Sequence, residues 1–214
     1  MASETTQALL SVAADLRPQF HALGYRKHRL TFRRVVADGL DHVVDLQPGR
    51  SHLYGKFTVN LGVYIREAEP NVEHFPDSTR ANYRAGEYPQ LSRRLGFLLP
   101  EAKDTWWSLD QPLHTTTSAV AHALNAFGFP WLDQLSDLDQ VLEILERSAL
   151  PDPEFNAPIR LVAMRIRLAK GDRQQAELDF ADHVAFERER GIPSGHLEYL
   201  ARIATAENFN VSVP

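Results

Sequence analysis

The 214-residue chain carries 23 basic and 28 acidic side chains, a net charge of −5, with 43% hydrophobic residues, 24% charged residues and no cysteine. Such a chain buries roughly 70% of the surface its unfolded form exposes, and the missing thiols exclude a disulfide framework, thiolate chemistry and cysteine-ligated zinc or iron–sulfur sites. The N-terminal stretch lacks the basic start and apolar run of a secretion signal, and no apolar run approaches the ~18 residues of a membrane span. A soluble, cytoplasmic protein with no membrane partner is the expectation.

Leu9, Val12, Ala13, Leu16, Phe20 and Leu23 recur at helical spacing, so the chain opens with an amphipathic helix. Pro18 predicts a kink in it, and Gly24 a left-handed stop. Three strands follow. Leu30 and Phe32 alternate with Thr31 and Arg33; Asp38-Gly39 marks a tight turn; Val44 and Leu46 alternate with Asp45 and Gln47. After Pro48-Gly49, the run 57–65 alternates Phe57, Val59, Leu61, Val63 and Ile65 with Thr58, Asn60, Gly62 and Tyr64. Period-two alternation buries one face and leaves the other polar, and short connections imply an antiparallel meander.

Residues 66–90 read as a long polar connection of the kind that often carries function. Residues 91–99 read as a short helix or an irregular apolar segment, and the aromatic run at 105–109 as a fourth strand. From 114 onward the pattern is helical. Thr115 to Ser118 offer N-caps, Gly128 and Pro130 predict a break, and Ser136 or Asp137 starts the next helix. Pro151-Asp152-Pro153 reads as a linker. Helices are expected near 156–170, 173–190 and 195–207, the first two joined as a hairpin through Gly171-Asp172. The fold class is therefore α+β: a helix on a small antiparallel meander of three or four strands, then an all-helical half. The expected division is 1–112 for the α+β domain and 113–214 for the helical region.

Five segments in order, HALGYRKHRLTFRR (21–34), HVVDLQ (42–47), GKFTVNLGVYI (55–65), SRRLG (92–96) and TWW (105–107), resemble an uncharacterised bacterial family, the DUF4304 domain of unknown function. The resemblance covers roughly residues 5–110. It implies a shared fold and brings no activity with it.

The polar side of the sheet supplies the candidate site: Arg33, Asp45, Gln47, Thr58, Asn60 and Tyr64 share one strand parity and could orient a ligand or a protein partner. A solvated face held by cross-strand pairs is the plainer account of the same residues. Arg26, Lys27, Arg29, Arg33 and Arg34 form a basic cluster beside Tyr25 and Phe32, a nucleic-acid signature that the acidic overall balance opposes. Residues 111–214 hold 9 basic and 15 acidic side chains, against 14 and 13 in residues 1–110, so the helical half favours a basic partner. Asp179, His183 and Glu187 lie four apart along one helix, but the outer two are separated by about 12 Å along the axis. They read as an exposed charged stripe, with no metal expected. No GxSxG elbow, HExxH motif or glycine-rich phosphate loop occurs.

These features point to a non-catalytic binding protein without a cofactor, its partner a protein. The narrower form is an immunity-type antagonist whose acidic surface caps a basic toxin. The alternative is a small-ligand binder or enzyme using the polar sheet face under a lid.

Overall fold

Residues 4–71, 74, 88–148, 158–191 and 194–213 are described by a computed structural model. The opening helix, α1 (Glu4–Ala22), runs continuously through Pro18 and buries Leu9, Val12, Ala13, Leu16 and Phe20. It ends as Gly24 predicts. The Tyr25 N–H donates to the Phe20 carbonyl at 2.9 Å and the Gly24 N–H to His21 at 3.0 Å, with Gly24 at φ +83°. That pair of bonds satisfies the last helical carbonyls, and it needs a left-handed residue that glycine adopts without strain.

The chain divides into two units, Met1–Tyr64 with Leu91–Val141, and Ile65–Gln90 with Leu142–Pro214. The first holds nearly all of the sheet. Strands β1 (Arg26–His28), β2 (Thr31–Ala37), β3 (Leu40–Pro48), β4 (Lys56–Ile65) and β5 (Leu91–Arg94) lie side by side in chain order. Strand β6 (Trp107–Ser108) pairs with the start of β4, at Lys56 and Phe57. Asp38-Gly39 makes the expected β2–β3 turn, with a register shift between Val35 and Ala37. The segment from Leu91, expected as a short helix or an irregular apolar stretch, is instead strand to Arg94. It pairs antiparallel with Asn60–Val63 before a single 3₁₀ turn at Leu95–Leu98.

One sheet face and the helices form the core. Phe32, Val44, Leu46, Phe57, Val59, Leu61 and Val63 are buried. Phe20 stacks on Phe32 at 3.9 Å and meets Tyr25 and Phe129 edge-on at 5.2 and 5.5 Å. Helix α2 (Leu113–Ala123) begins before the threonines expected to cap it. Thr116 therefore lies inside the helix, where its hydroxyl donates to the Ser108 carbonyl at 3.0 Å. Gly128 and Pro130 do not break the chain's helical course. Leu124–Gly128 forms a π-turn that leads directly into α3 (Phe129–Asp133), with Pro130 in the first turn of α3. Helix α4 (Leu138–Arg147) is capped by the Asp137 carboxylate, which accepts from the Asp139 and Gln140 amides at 2.9 Å each.

The turn before β4 is tightly closed. The Gly49 N–H donates to the Lys56 carbonyl at 2.8 Å, and a Cβ at Gly49 would lie 2.1 Å from the Leu53 carbonyl oxygen. Gly49→Ala is expected to lower stability by about 1–3 kcal/mol, as overpacking does. Urea denaturation of the two proteins checks this, and equal midpoints would show that the turn opens freely.

In the second unit, α5 (Ile159–Ala169) and α6 (Arg173–Arg190) form the expected hairpin, and α7 (Ser194–Ala206) follows. Gly171 takes φ +81° at the turn, and the Asp172 carboxylate caps α6 by accepting from the Gln175 amide at 3.3 Å. Leu161, Met164, Phe180, Val184, Leu200 and Ile203 join one apolar cluster. Pro151-Asp152-Pro153 and most of the 66–90 connection lie outside the described residues.

Candidate functional site

The polar sheet face is made of pairs. The Thr31 hydroxyl donates to Asp45 at 2.8 Å, directly across the β2–β3 register. The Asn60 amide donates to the Gln47 side-chain oxygen at 2.8 Å, joining β4 to β3. Arg33 donates to Asp41 at 2.5 Å, and its guanidinium lies over the Tyr64 ring at 4.6 Å. Cross-strand pairs of this kind are what hold an antiparallel sheet in register.

Five of the six residues expected on this face, Arg33, Asp45, Gln47, Asn60 and Tyr64, are half-buried. Thr58 differs. It is fully buried, because the segment entering β6 crosses over it and the Thr105 carbonyl accepts its hydroxyl at 3.0 Å. Its strand parity is right, yet it offers no surface.

The face extends to residues that the strand pattern alone did not supply. Arg94 stands opposite Asn60 in register. It donates to Asp104 at 2.6 Å and lies over the Trp106 ring at 5.3 Å, while the Trp106 indole N–H donates to the same carboxylate at 3.0 Å. A second guanidinium–aromatic stack therefore stands at the β5 side of the face. The available signal was the paired arginines of SRRLG, which are meaningful once that segment is a strand.

The basic cluster is partly consumed in structure. Arg34 donates to Asp133 at 2.8 Å, pairs with the buried His42 ring at 3.0 Å and lies over Tyr25 at 5.1 Å. Trp131 is buried, its default role.

The expected exposed stripe on α6 is corrected. Asp179 and His183 are 3% and 2% exposed, and Glu187 is half-buried, because this side of the helix faces α5 and α7 rather than water. Asp179 accepts from Arg167 at 2.8 Å. His183 meets His196 of α7 with perpendicular rings 5.9 Å apart. One ligand atom from each of His183, Glu187 and His196 can be chosen so that all lie within 4.8 Å of one another. Burial, then the charges of His196 and Arg165, hold the His183 imidazole down to about 4. Among the described residues, its Nε2 has no hydrogen-bond partner.

An opening helix laid on an antiparallel sheet, with helices after it, defines an α+β protein whose strand motifs fall in the order 21–34, 42–47, 55–65, 92–96 and 105–107. The family model of DUF4304, a domain of unknown function, matches residues 16–134. That is more than half of the chain, and the protein belongs to this family. The match reaches past the strands to include α2 and α3. No curated protein and no solved structure matches the chain. Among the described residues, no helix is long and apolar enough to cross a membrane.

Proposed function

We propose that this protein is a non-catalytic binding protein that recognises a protein partner through the polar face of its sheet. The observation that carries the reading is the pair of guanidinium–aromatic stacks, Arg33 over Tyr64 and Arg94 over Trp106, on a face that also presents the Gln47–Asn60 amide pair. Arginine and large aromatic side chains held in place before binding are the groups that dominate protein interfaces, because little side-chain entropy is lost on contact. A small-molecule site would instead leave donors and acceptors open toward a cavity, whereas Arg33, Asp45, Gln47 and Asn60 already bond to neighbours.

Charge favours a basic partner. On the face itself Arg26, Arg33, Lys56 and Arg94 stand against Asp41, Asp45 and Asp104, so the acidic field comes from residues 111–214, which carry an excess of six acidic side chains. Opposite fields raise the association rate and suppress wrong partners. An antagonist that caps a basic toxin needs this surface and no chemistry of its own.

The test is capture from the source organism with the tagged wild-type chain and with Asn60→Arg, at low and high salt. A basic protein held in stoichiometric amount by the wild type, weakened by salt and bound roughly 30-fold more weakly by Asn60→Arg, is expected for a central contact. Equal capture by both chains, or no stoichiometric partner at low salt, would defeat the reading.

A further inference from the structure

Independently of the sheet face, we propose that His183, Glu187 and His196 bind one zinc-type divalent metal ion with an open coordination position.

Helix geometry brings the three together. His183 and Glu187 are four residues apart on α6, so their side chains share one side of the helix, about 6 Å apart along its axis. Gly191 is the left-handed C-cap that ends α6, and α7 begins at Ser194. His196, on the first turn of α7, then meets His183 across the hairpin. Donor atoms around a tetrahedral zinc ion sit about 2.0–2.2 Å from the metal. The observed separations, at most 4.8 Å, therefore close on an ion by side-chain rotation at the two half-buried positions, Glu187 and His196.

A second observation points the same way. His183 is 2% exposed and, among the described residues, its Nε2 has no hydrogen-bond partner. Buried polar atoms are nearly always paired, and an imidazole left with a partnerless nitrogen in a cluster with a carboxylate and a second imidazole can be satisfied by a cation. Arg165 opposes a cation here, and the Glu187 carboxylate offsets it.

The donor set selects the metal. Two imidazoles and one carboxylate suit zinc and its neighbours, whereas calcium and magnesium take oxygen ligands. Three protein ligands leave a fourth position for water or a bound group, as in catalytic zinc sites. His196 also lines a cavity of about 290 Å³ with Arg165 and Tyr199 on its wall, and Arg165 donates to the Tyr199 hydroxyl. A ligand that could meet the ion and this guanidinium together is an anion, a carboxylate or a phosphate.

The experiment uses the full chain, stripped with chelator and dialysed, and titrated with Zn²⁺ by calorimetry and with Co²⁺ by visible absorption. One equivalent of Zn²⁺ should bind, and Glu187→Gln and His196→Ala should each lower its affinity at least tenfold, as loss of a ligand does. Both positions are half-buried, so circular dichroism should show a retained fold, which the fully buried His183 would not guarantee. His28→Ala, in the first unit, should bind as the wild type does. Added inorganic phosphate should alter the Co²⁺ spectrum through the open position. The site is overturned by absence of saturable binding, by wild-type affinity in both ligand variants, or by an equal loss in His28→Ala, which would mark adventitious histidine chelation.

Discussion

Arg167→Met is expected to be the most damaging single substitution in the helical unit, at about 3–5 kcal/mol, the range for breaking a buried ion pair from one side. Arg167 is 8% exposed and Asp179 3%. The guanidinium donates to Asp179 at 2.8 Å and Asp172 at 3.3 Å, and also to Glu146. The last two carboxylates are half-exposed and would turn to water when Arg167 is lost. Asp179 could not. Burial already pushes its carboxyl above the usual carboxylate range despite the pull of Arg167, so desolvation outweighs the attraction. The same imbalance makes a second prediction of sign: Arg167→Met combined with Asp179→Leu should recover at least half of the loss, since an apolar pair carries no desolvation cost. Urea denaturation of the two single variants and the double variant closes the cycle. Strictly additive losses, or a single-variant loss below about 1 kcal/mol, would show that the pair is not coupled through burial.

What could be read from the chain alone depended on whether the signal was local. The alternation of Phe57 to Ile65 has a period of two whatever surrounds it, and β4 forms where that alternation lies. Gly24 needed only its own backbone freedom. Strand β5 was harder, because Leu91–Arg94 is four residues long and is strand by virtue of its pairing with Asn60–Val63. Thr58 illustrates the same limit within the candidate site. Parity assigned it to the polar side, but its burial comes from a segment some fifty residues later in the chain.

The helical unit shows the limit at its strongest. Polar groups at 179, 183 and 187 look like a wet stripe to a single helix, but Asp179 and His183 are buried and Glu187 half-buried once α5 contributes Arg167 and α7 contributes His196. On one helix, the separation of about 12 Å along the axis keeps residues 179 and 187 from sharing an ion. The third of the proposed ligands lies on the next helix instead of the next turn, and Gly191, left-handed at the end of α6, was the readable sign that the helix stops there. The proposed contact face follows the same logic, because Arg94 and Trp106 join Arg33 and Tyr64 only through sheet topology.

The buried His42 makes the first unit acid-sensitive. The Leu135 carbonyl can only accept, so His42 Nε2 carries the proton and donates to it at 3.1 Å, leaving Nδ1 to accept from Arg34 at 3.0 Å. Protonation of Nδ1 would set two donors against each other inside the core. Burial, reinforced by the Arg34 charge and resisted by the bond to Leu135, holds the imidazole below its ordinary value. The unfolded chain therefore binds a proton near pH 6.5 that the folded chain refuses, and stability present above that pH is lost as the pH falls. His42→Phe removes this titration and leaves the Leu135 oxygen and an Arg34 N–H without their partner, at about 1–3 kcal/mol for each. At pH 8 the variant should be less stable by roughly 3 kcal/mol on that basis, and the gap should narrow as the pH is lowered to 5.5. His183 is acid-sensitive in the same direction, but it is present in both proteins and cancels in the difference. Urea midpoints of the metal-free chains at the two pH values are sufficient, and a gap that stays constant would mean that His42 titrates alike in the folded and unfolded states.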